Sequence, residues 1–258
     1  SSDLTPYPYY NPQTRGFNLE GMLGVLANAA PGSIVVLHAC CHNPTGVDPT
    51  PEQWQQIVQV ITDRELVPFL DMAYQGFGDG IEADGSVVGL FVQRDRPVLI
   101  ANSFSKSFSL YGERVGALTI VAETAQEAQR VLSQLKRTIR SNYSNPPTHG
   151  ASVVAAVLGD ATLRSQWADE LGQMRERIKQ MRQALVDGLR SREVGANFDF
   201  VLSQRGMFSY SGLSAEQVER LKQDYAIYAV STGRICVAAL NTGNINAVCD
   251  ALAAILKN

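Results

Sequence analysis

Residues 33–46 read SIVVLHACCHNPTG. The stretch opens on a short apolar run, SIVVLH over residues 33–38, with the length and β-branched content of a buried strand. It ends in Asn43-Pro44-Thr45-Gly46, which is turn chemistry. A helix start comes next: Thr50 as cap, Pro51 at the first helical position and Gln53 as the capping-box partner. Trp54, Ile57, Val58 and Ile61 then recur at helical spacing. Further apolar runs stand at residues 66–72 (LVPFLDM), 97–102 (PVLIAN) and 114–121 (RVGALTIV). Buried strands separated by helices predict an α/β fold, a mostly parallel sheet with helices on both faces.

Beyond residue 121 the pattern changes. Residues 125–140 read as a helix, stopped by the polar, proline-containing stretch 142–147. Leu163, Trp167, Leu171, Met174, Ile178, Met181, Leu185 and Leu189 recur every three or four residues, the stripe of one long helix. Strands are expected at residues 198–202, 207–210, 225–230 and 234–238. Ser214 and Gln217 form a second capping box, and residues 245–256 are a closing amphipathic helix. The expected division is residues 1–165, part of a large domain, and residues 166–258, a small α+β domain, joined by the long helix.

Composition narrows the function classes. The chain has 258 residues, 45% hydrophobic and 18% charged, with a net charge of −3. Its charges are interspersed, so nucleic acid is not an expected partner, nor is an acidic membrane surface. No apolar run is long enough to span a bilayer. The four cysteines, two of them the adjacent Cys40 and Cys41, lack the spacing of a disulfide framework or a zinc site. A reducing, cytoplasmic setting is expected, with no metal.

Polar groups cluster just after the strands, where open α/β sheets form their ligand crevice. Asn43 follows the first run, Asp71 and Tyr74 end the second, Ser103, Ser105 and Lys106 follow the third, and Arg114 opens the fourth. Each has a bland reading as a turn or solvated-loop residue. Ser-x-Ser-Lys arises by chance in roughly one chain of this length in a dozen, Asn-Pro-Thr-Gly in roughly one in several hundred. The serine–lysine motif is therefore weak alone, and the order of the whole set is what favours a shared site.

Five stretches in this order, HACCHNPTG (38–46), DMAYQGF (71–77), SFSKSFSLYGERV (103–115), NYSNPP (142–147) and GRICV (233–237), resemble the signatures of class I pyridoxal-phosphate aminotransferases of the aspartate/aromatic kind. The resemblance covers nearly the whole chain. It implies the large domain of the fold-type I pyridoxal-phosphate transferases plus the small C-terminal domain. It also implies pyridoxal 5'-phosphate as cofactor, amino acids and 2-oxo acids as substrates, and a homodimer. Lys106 would bond to the cofactor aldehyde and later move the substrate's α-proton. Asp71 would pair with the pyridine nitrogen, and Tyr74 and Asn43 would donate to the ring oxygen. Ser103, Ser105 and Arg114 would hold the phosphate. Arg234 would bind the substrate α-carboxylate, with Asn43 beside it. The resemblance makes Arg140 the arginine that meets a side-chain carboxylate in a neighbouring subunit's site. Position alone makes it a helix-end charge facing a dipole. His38 stands between a core histidine and a site residue.

The glycine-rich turn and helix start that cup the phosphate in this family have no counterpart in the 258 residues, so the resemblance also implies a missing N-terminal third and an inactive fragment. A non-catalytic ligand-binding or regulatory module on the same fold is the other class of reading. Retention of Lys106 together with Asp71, Tyr74, Asn43, Arg114 and Arg234 favours catalysis, because a scaffold has no use for the amine.

Overall fold

A computed structural model describes residues 4–93 and 96–257. A short antiparallel hairpin, β1 (Tyr10–Asn11) and β2 (Gly16–Phe17), precedes helix α1 (Leu19–Ala27), which Asn18 caps. Strand β3 (Ile34–His38), α2 (Pro51–Asp63), β4 (Val67–Met72), α3 (Ile81–Val92) and β5 (Val98–Ser103) then alternate, and β6 (Gly116–Val121) completes the sheet. Its order is β3-β4-β5-β6, parallel except for β6. The predicted capping box forms: Gln53 N–H donates to Thr50 Oγ1, and Thr50 N–H to Gln53 Oε1.

Alternation along the strands sorts the two faces of the sheet. Val35, Leu37, Leu70, Met72, Val98 and Ile100 pack on one side with Met22, Leu26, Trp54, Ile57, Val58, Ile61, Val87 and Phe91 of α1, α2 and α3. The opposite face is more open, with Ile34 62% and Val36 53% exposed. His38, Asp71 and Ser103 stand on that open face at its carboxyl end.

Helix α4 (Ala125–Asn142) buries no side chain, although its sequence is strongly amphipathic. After α5 (His149–Gly159) comes the long helix as a single element, α6 (Ala161–Arg190), capped by Asp160. The rest is α7 (Phe200–Ser203), β7 (Phe208–Tyr210), α8 (Ala215–Tyr225), β8 (Arg234–Cys236), a 3₁₀ turn over Val237–Ala239, and α9 (Ile245–Leu256). Here Leu171, Ile178, Leu185 and Leu189 of α6 pack with Val201, Leu221, Val237 and Leu252 in a second core.

Two expected strands are absent, and a third is shorter. Residues 198–202 enter a helical turn: Asn197 Oδ1 accepts from Asp199 N–H, and the Phe198 carbonyl from Val201 N–H. The apolar run there is long enough for either structure, and local turn chemistry decides it. In residues 225–230, Tyr225 is the last residue of α8 and Ala226 caps it at φ +53. Ile227 N–H then bonds back to the Leu221 carbonyl, so that segment is used to close the helix. The strand expected at 234–238 stops at Cys236 and tightens into the 3₁₀ turn. Helices α1, α3 and α5 carry no clear signal in the sequence. α3, for instance, holds two glycines and an apolar run without a clean stripe.

Candidate active site

Strand register builds the crevice. His38 lies opposite Asp71, and Asp71 opposite Ala101, so Ser103, two residues on from Ala101, points to the same face. Just beyond β4, Asp71 Oδ1 accepts from Ala73 N–H at 3.1 Å and turns the chain. That turn buries Tyr74 at the crevice floor. On the β3 side, the Asp48 carboxylate accepts from Cys41 N–H at 2.6 Å and His42 N–H at 2.9 Å, fixing the loop that carries Asn43.

From Tyr74 the polar groups form one continuous run. Asn43 Nδ2 donates to Tyr74 Oη at 3.3 Å, and Arg234 Nη1 donates to Asn43 Oδ1 at 2.9 Å. Lys106 Nζ lies 4.6 Å from the centroid of the Tyr74 ring. Arg234 in turn rests on Phe208, its Cζ 4.6 Å from that ring. Residues up to 191 positions apart thus meet at one place, where the sheet faces the β7–β8 pair.

The electrostatics follow from burial and these partners. Burial pushes the Tyr74 phenol up, while the Asn43 hydrogen bond and the Arg234 charge pull it back. Burial also lowers His38, assisted by the Lys106 ammonium and opposed by the Asp71 carboxylate. His38 therefore belongs to the crevice, opposite Asp71 across the β3–β4 register. Its Nδ1 is buried and has no hydrogen-bond partner among the described residues. His42 is different. It stacks on Tyr9 at 3.6 Å, its Nδ1 meets Thr45 Oγ1 at 2.8 Å, and burial followed by His38 lowers it to about 3. It is a packing residue. Cys40, Cys41 and Asp84 place their ligand atoms within 4.8 Å of one another. The Asp84 oxygens already accept from the amides of Gly76, Gly78 and Asp79. The Cys41 thiol is held well up by its contact with Cys40 and by burial, which disfavours the thiolate a metal needs.

The groups expected to hold an anion are less completely gathered. Ser105 is buried and its N–H donates to Ser103 Oγ at 3.3 Å, so the two serines share one turn. Arg114 is on the same loop, exposed, at φ +51, with Nη1 donating to the Tyr111 carbonyl at 3.2 Å. Arg140 is exposed on the last turn of α4 and donates to Ser144 Oγ at 2.9 Å. In a single chain, then, Asn43, Asp71, Tyr74, Lys106 and Arg234 converge, the serines lie together, and Arg114 and Arg140 point elsewhere.

Two supports escape a reading of the sequence. Phe208, expected only as part of a strand, also meets Tyr74 edge to face at 6.0 Å. Trp167, expected only in the apolar stripe, stacks on Phe108 at 4.5 Å and donates to the Ser107 carbonyl at 2.8 Å, pinning the loop that carries Lys106. No local motif announces either contact.

Chemically, the crevice offers an amine against a phenol, a carboxylate beside a neutral imidazole, paired hydroxyls, and a guanidinium free to fork around a carboxylate. Comparison with known proteins points the same way. The sequence profile of aminotransferase class I and II matches residues 1–252. The chain is 58% identical to an aspartate aminotransferase of Pseudomonas aeruginosa over 97% of its own length and 63% of that protein's. It is 50% identical to the aromatic-amino-acid aminotransferase of Escherichia coli, over 98% of this chain and 64% of that one. A crystal structure of the aromatic-amino-acid aminotransferase of Burkholderia pseudomallei, covalently bound to pyridoxal phosphate, superposes with a TM-score of 0.97 at 59% identity. That superposition covers 98% of this chain and 64% of the other. The chain thus spans a little under two thirds of the length of these relatives.

Proposed function

The chain belongs to the class I and II aminotransferase family, and on that premise we propose that the protein moves an amino group from an aromatic or acidic amino acid to a 2-oxo acid such as 2-oxoglutarate, using pyridoxal phosphate. The observation that carries this reading is the unbroken run Lys106–Tyr74–Asn43–Arg234. A binding module needs the guanidinium but has no use for an amine held over a phenol.

The residues fit the cofactor by their chemistry. When bound, the cofactor supplies an aldehyde and an electron-withdrawing ring. Lys106 would supply the amine for that aldehyde, and its Nζ would be the group placed to take and return a substrate proton. Asp71 would pair with the ring nitrogen and favour its protonated form. His38 stands opposite Asp71 in the β3–β4 register, at the same end of the sheet. Tyr74 Oη and Asn43 Nδ2, which already meet each other, would donate to the ring oxygen. Ser103, Ser105 and Arg114, all on the loop that follows β5, would hold the phosphate. Arg234 offers its remaining N–H groups to the substrate α-carboxylate while Asn43 keeps its orientation.

The same reading divides the chain at α6, residues 1–165 and 166–258, although the core packed on α6 also takes in Cys40, Cys41, Tyr74 and Phe77 of the first segment. It makes the protein a homodimer, since α4 is amphipathic yet buries nothing and leaves Leu132 half exposed. It places the protein in the cytoplasm, where four free thiols persist. Among the described residues no helix is long and apolar enough to cross a membrane. It also holds that these 258 residues, taken alone, do not run the reaction.

Adding pyridoxal phosphate to the whole protein should produce a visible absorption band that an amino acid then bleaches. No band, or a band indifferent to amino acids, would leave the module reading in its place. Substrate recognition gives a sharper test. Arg234→Leu should weaken amino acids and 2-oxo acids alike by about 1.5–3 kcal/mol, the worth of a charged hydrogen-bonded contact. Arg140→Leu should weaken aspartate and glutamate while sparing phenylalanine and tyrosine. Steady-state constants for all four amino acids decide it, and equal losses at Arg140 would remove it from side-chain recognition.

A further inference from the structure

Arg182 is a buried charge with no part in the proposed reaction. It sits on α6, 3% exposed, and no acidic side chain reaches it among the described residues. Its guanidinium instead spans three backbone carbonyls: Val201 at 3.1 Å, Gly206 at 2.8 Å and Phe208 at 2.7 Å. Burial lowers it only to about 10, so it stays charged at neutral pH. A buried arginine without a counter-ion is a poor device for stability, since an apolar side chain of similar volume often does as well. A rigid planar fork is a good device for holding several oxygens at fixed mutual positions.

Those oxygens belong to the floor under Arg234. Phe208 begins β7, its ring supports the Arg234 guanidinium, and its strand pairs with β8 so that Tyr210 lies opposite Arg234. Gly206 sits at φ +78 with no room for a side chain, because a Cβ there would stand 2.5 Å from Cys41 Cβ. The segment from Gly206 to Phe208 is therefore wedged between the loop of Cys41 and the guanidinium of Arg182. It moves only if one of them moves.

We propose that Arg182 is a positioning residue for carboxylate recognition: by clamping the Gly206 and Phe208 carbonyls it fixes the ring on which Arg234 rests, and so fixes where a substrate carboxylate is met. The proposal rests on the aminotransferase reading of Arg234. Arg182→Lys keeps the charge but cannot span three carbonyls, so it should weaken 2-oxo acid binding roughly 5- to 10-fold. Arg182→Met should weaken it further, about 10-fold or more. Both should retain the cofactor and the covalent link at Lys106, and both should speed amide exchange in β7 and β8 ahead of the rest of the chain. Phe208→Leu should reproduce the loss of affinity. The measurements are equilibrium titration of a 2-oxo acid against the whole, cofactor-loaded protein, hydrogen exchange by residue, and borohydride trapping of the lysine link. If Arg182→Met does not fold, Arg182→Lys and Phe208→Leu decide the matter. Unchanged affinity in Arg182→Lys, while Arg234→Leu weakens binding, overturns this inference alone. Loss of cofactor and of 2-oxo acid binding in equal measure also overturns it, because that is what general loosening does. Unchanged affinity in Arg234→Leu brings down the aminotransferase reading on which it rests.

Discussion

In the whole protein, Lys106→Ala is expected to abolish covalent capture of pyridoxal phosphate and to cut transamination by at least about 10⁴-fold, the scale of a lost nucleophile and general base. The chain has four other lysines, Lys136, Lys179, Lys222 and Lys257. Lys136 lies on α4, Lys179 pairs with Glu176, Lys222 pairs with Glu219, and Lys257 follows α9. Lys106 alone among them stands against the Tyr74 ring. Alanine at 106 removes the amine without disturbing Ser103, Ser105 or Arg114, so the phosphate should still be held, and the cofactor should exchange rather than vanish. Borohydride reduction followed by peptide mass analysis reads the link directly. A reduced, lysine-bound cofactor in the variant would sink the assignment of Lys106, whatever the residual activity.

The sheet was legible because its strands are short apolar runs that end in turn residues, a pattern that depends on nothing distant. The same rule placed Asn43, Asp71, Tyr74 and Lys106 at one edge, since consecutive strand ends in such a sheet share a crevice. The α7 turn at Phe200 was not legible, because five apolar and acidic residues satisfy a strand and a helical turn equally. Nor was the role of Phe208, whose importance lies in what packs on it from α6 and β8. His38 was half legible: its strand position was clear, but its place opposite Asp71 required the register. Arg114 shows the opposite limit. The sequence places it near the serines, and the structure has its Nη1 donating to the Tyr111 carbonyl three residues back, a local contact that no motif announces.

The 258-residue chain expressed alone is expected to give no measurable exchange between an amino acid and 2-oxoglutarate, and weak or no capture of pyridoxal phosphate. It spans 63% and 64% of two aminotransferases it matches, so over a third of their length has no counterpart here. The crevice lies on the open face of the sheet, where Ile34 and Val36 are more than half exposed and β6 leaves Leu118 half exposed. Apolar surface of that kind in a folded chain calls for a cover. Without one, water reaches the residues that should work in a dry site, and screening weakens each charge they use. On the proposed function, proton transfer at Lys106 would depend on orientation, so a loosely held cofactor would lose far more rate than affinity. The chain should also be prone to associate through its uncovered face. The assay is direct: residues 1–258 and the whole protein, side by side, with pyridoxal phosphate added, for turnover and for the visible band. Turnover by the chain alone within about tenfold of the whole protein, a difference of only about 1.4 kcal/mol in barrier, would show that the site is complete on β3, β4, β5 and β8. The open face would then be a surface feature with no part in catalysis.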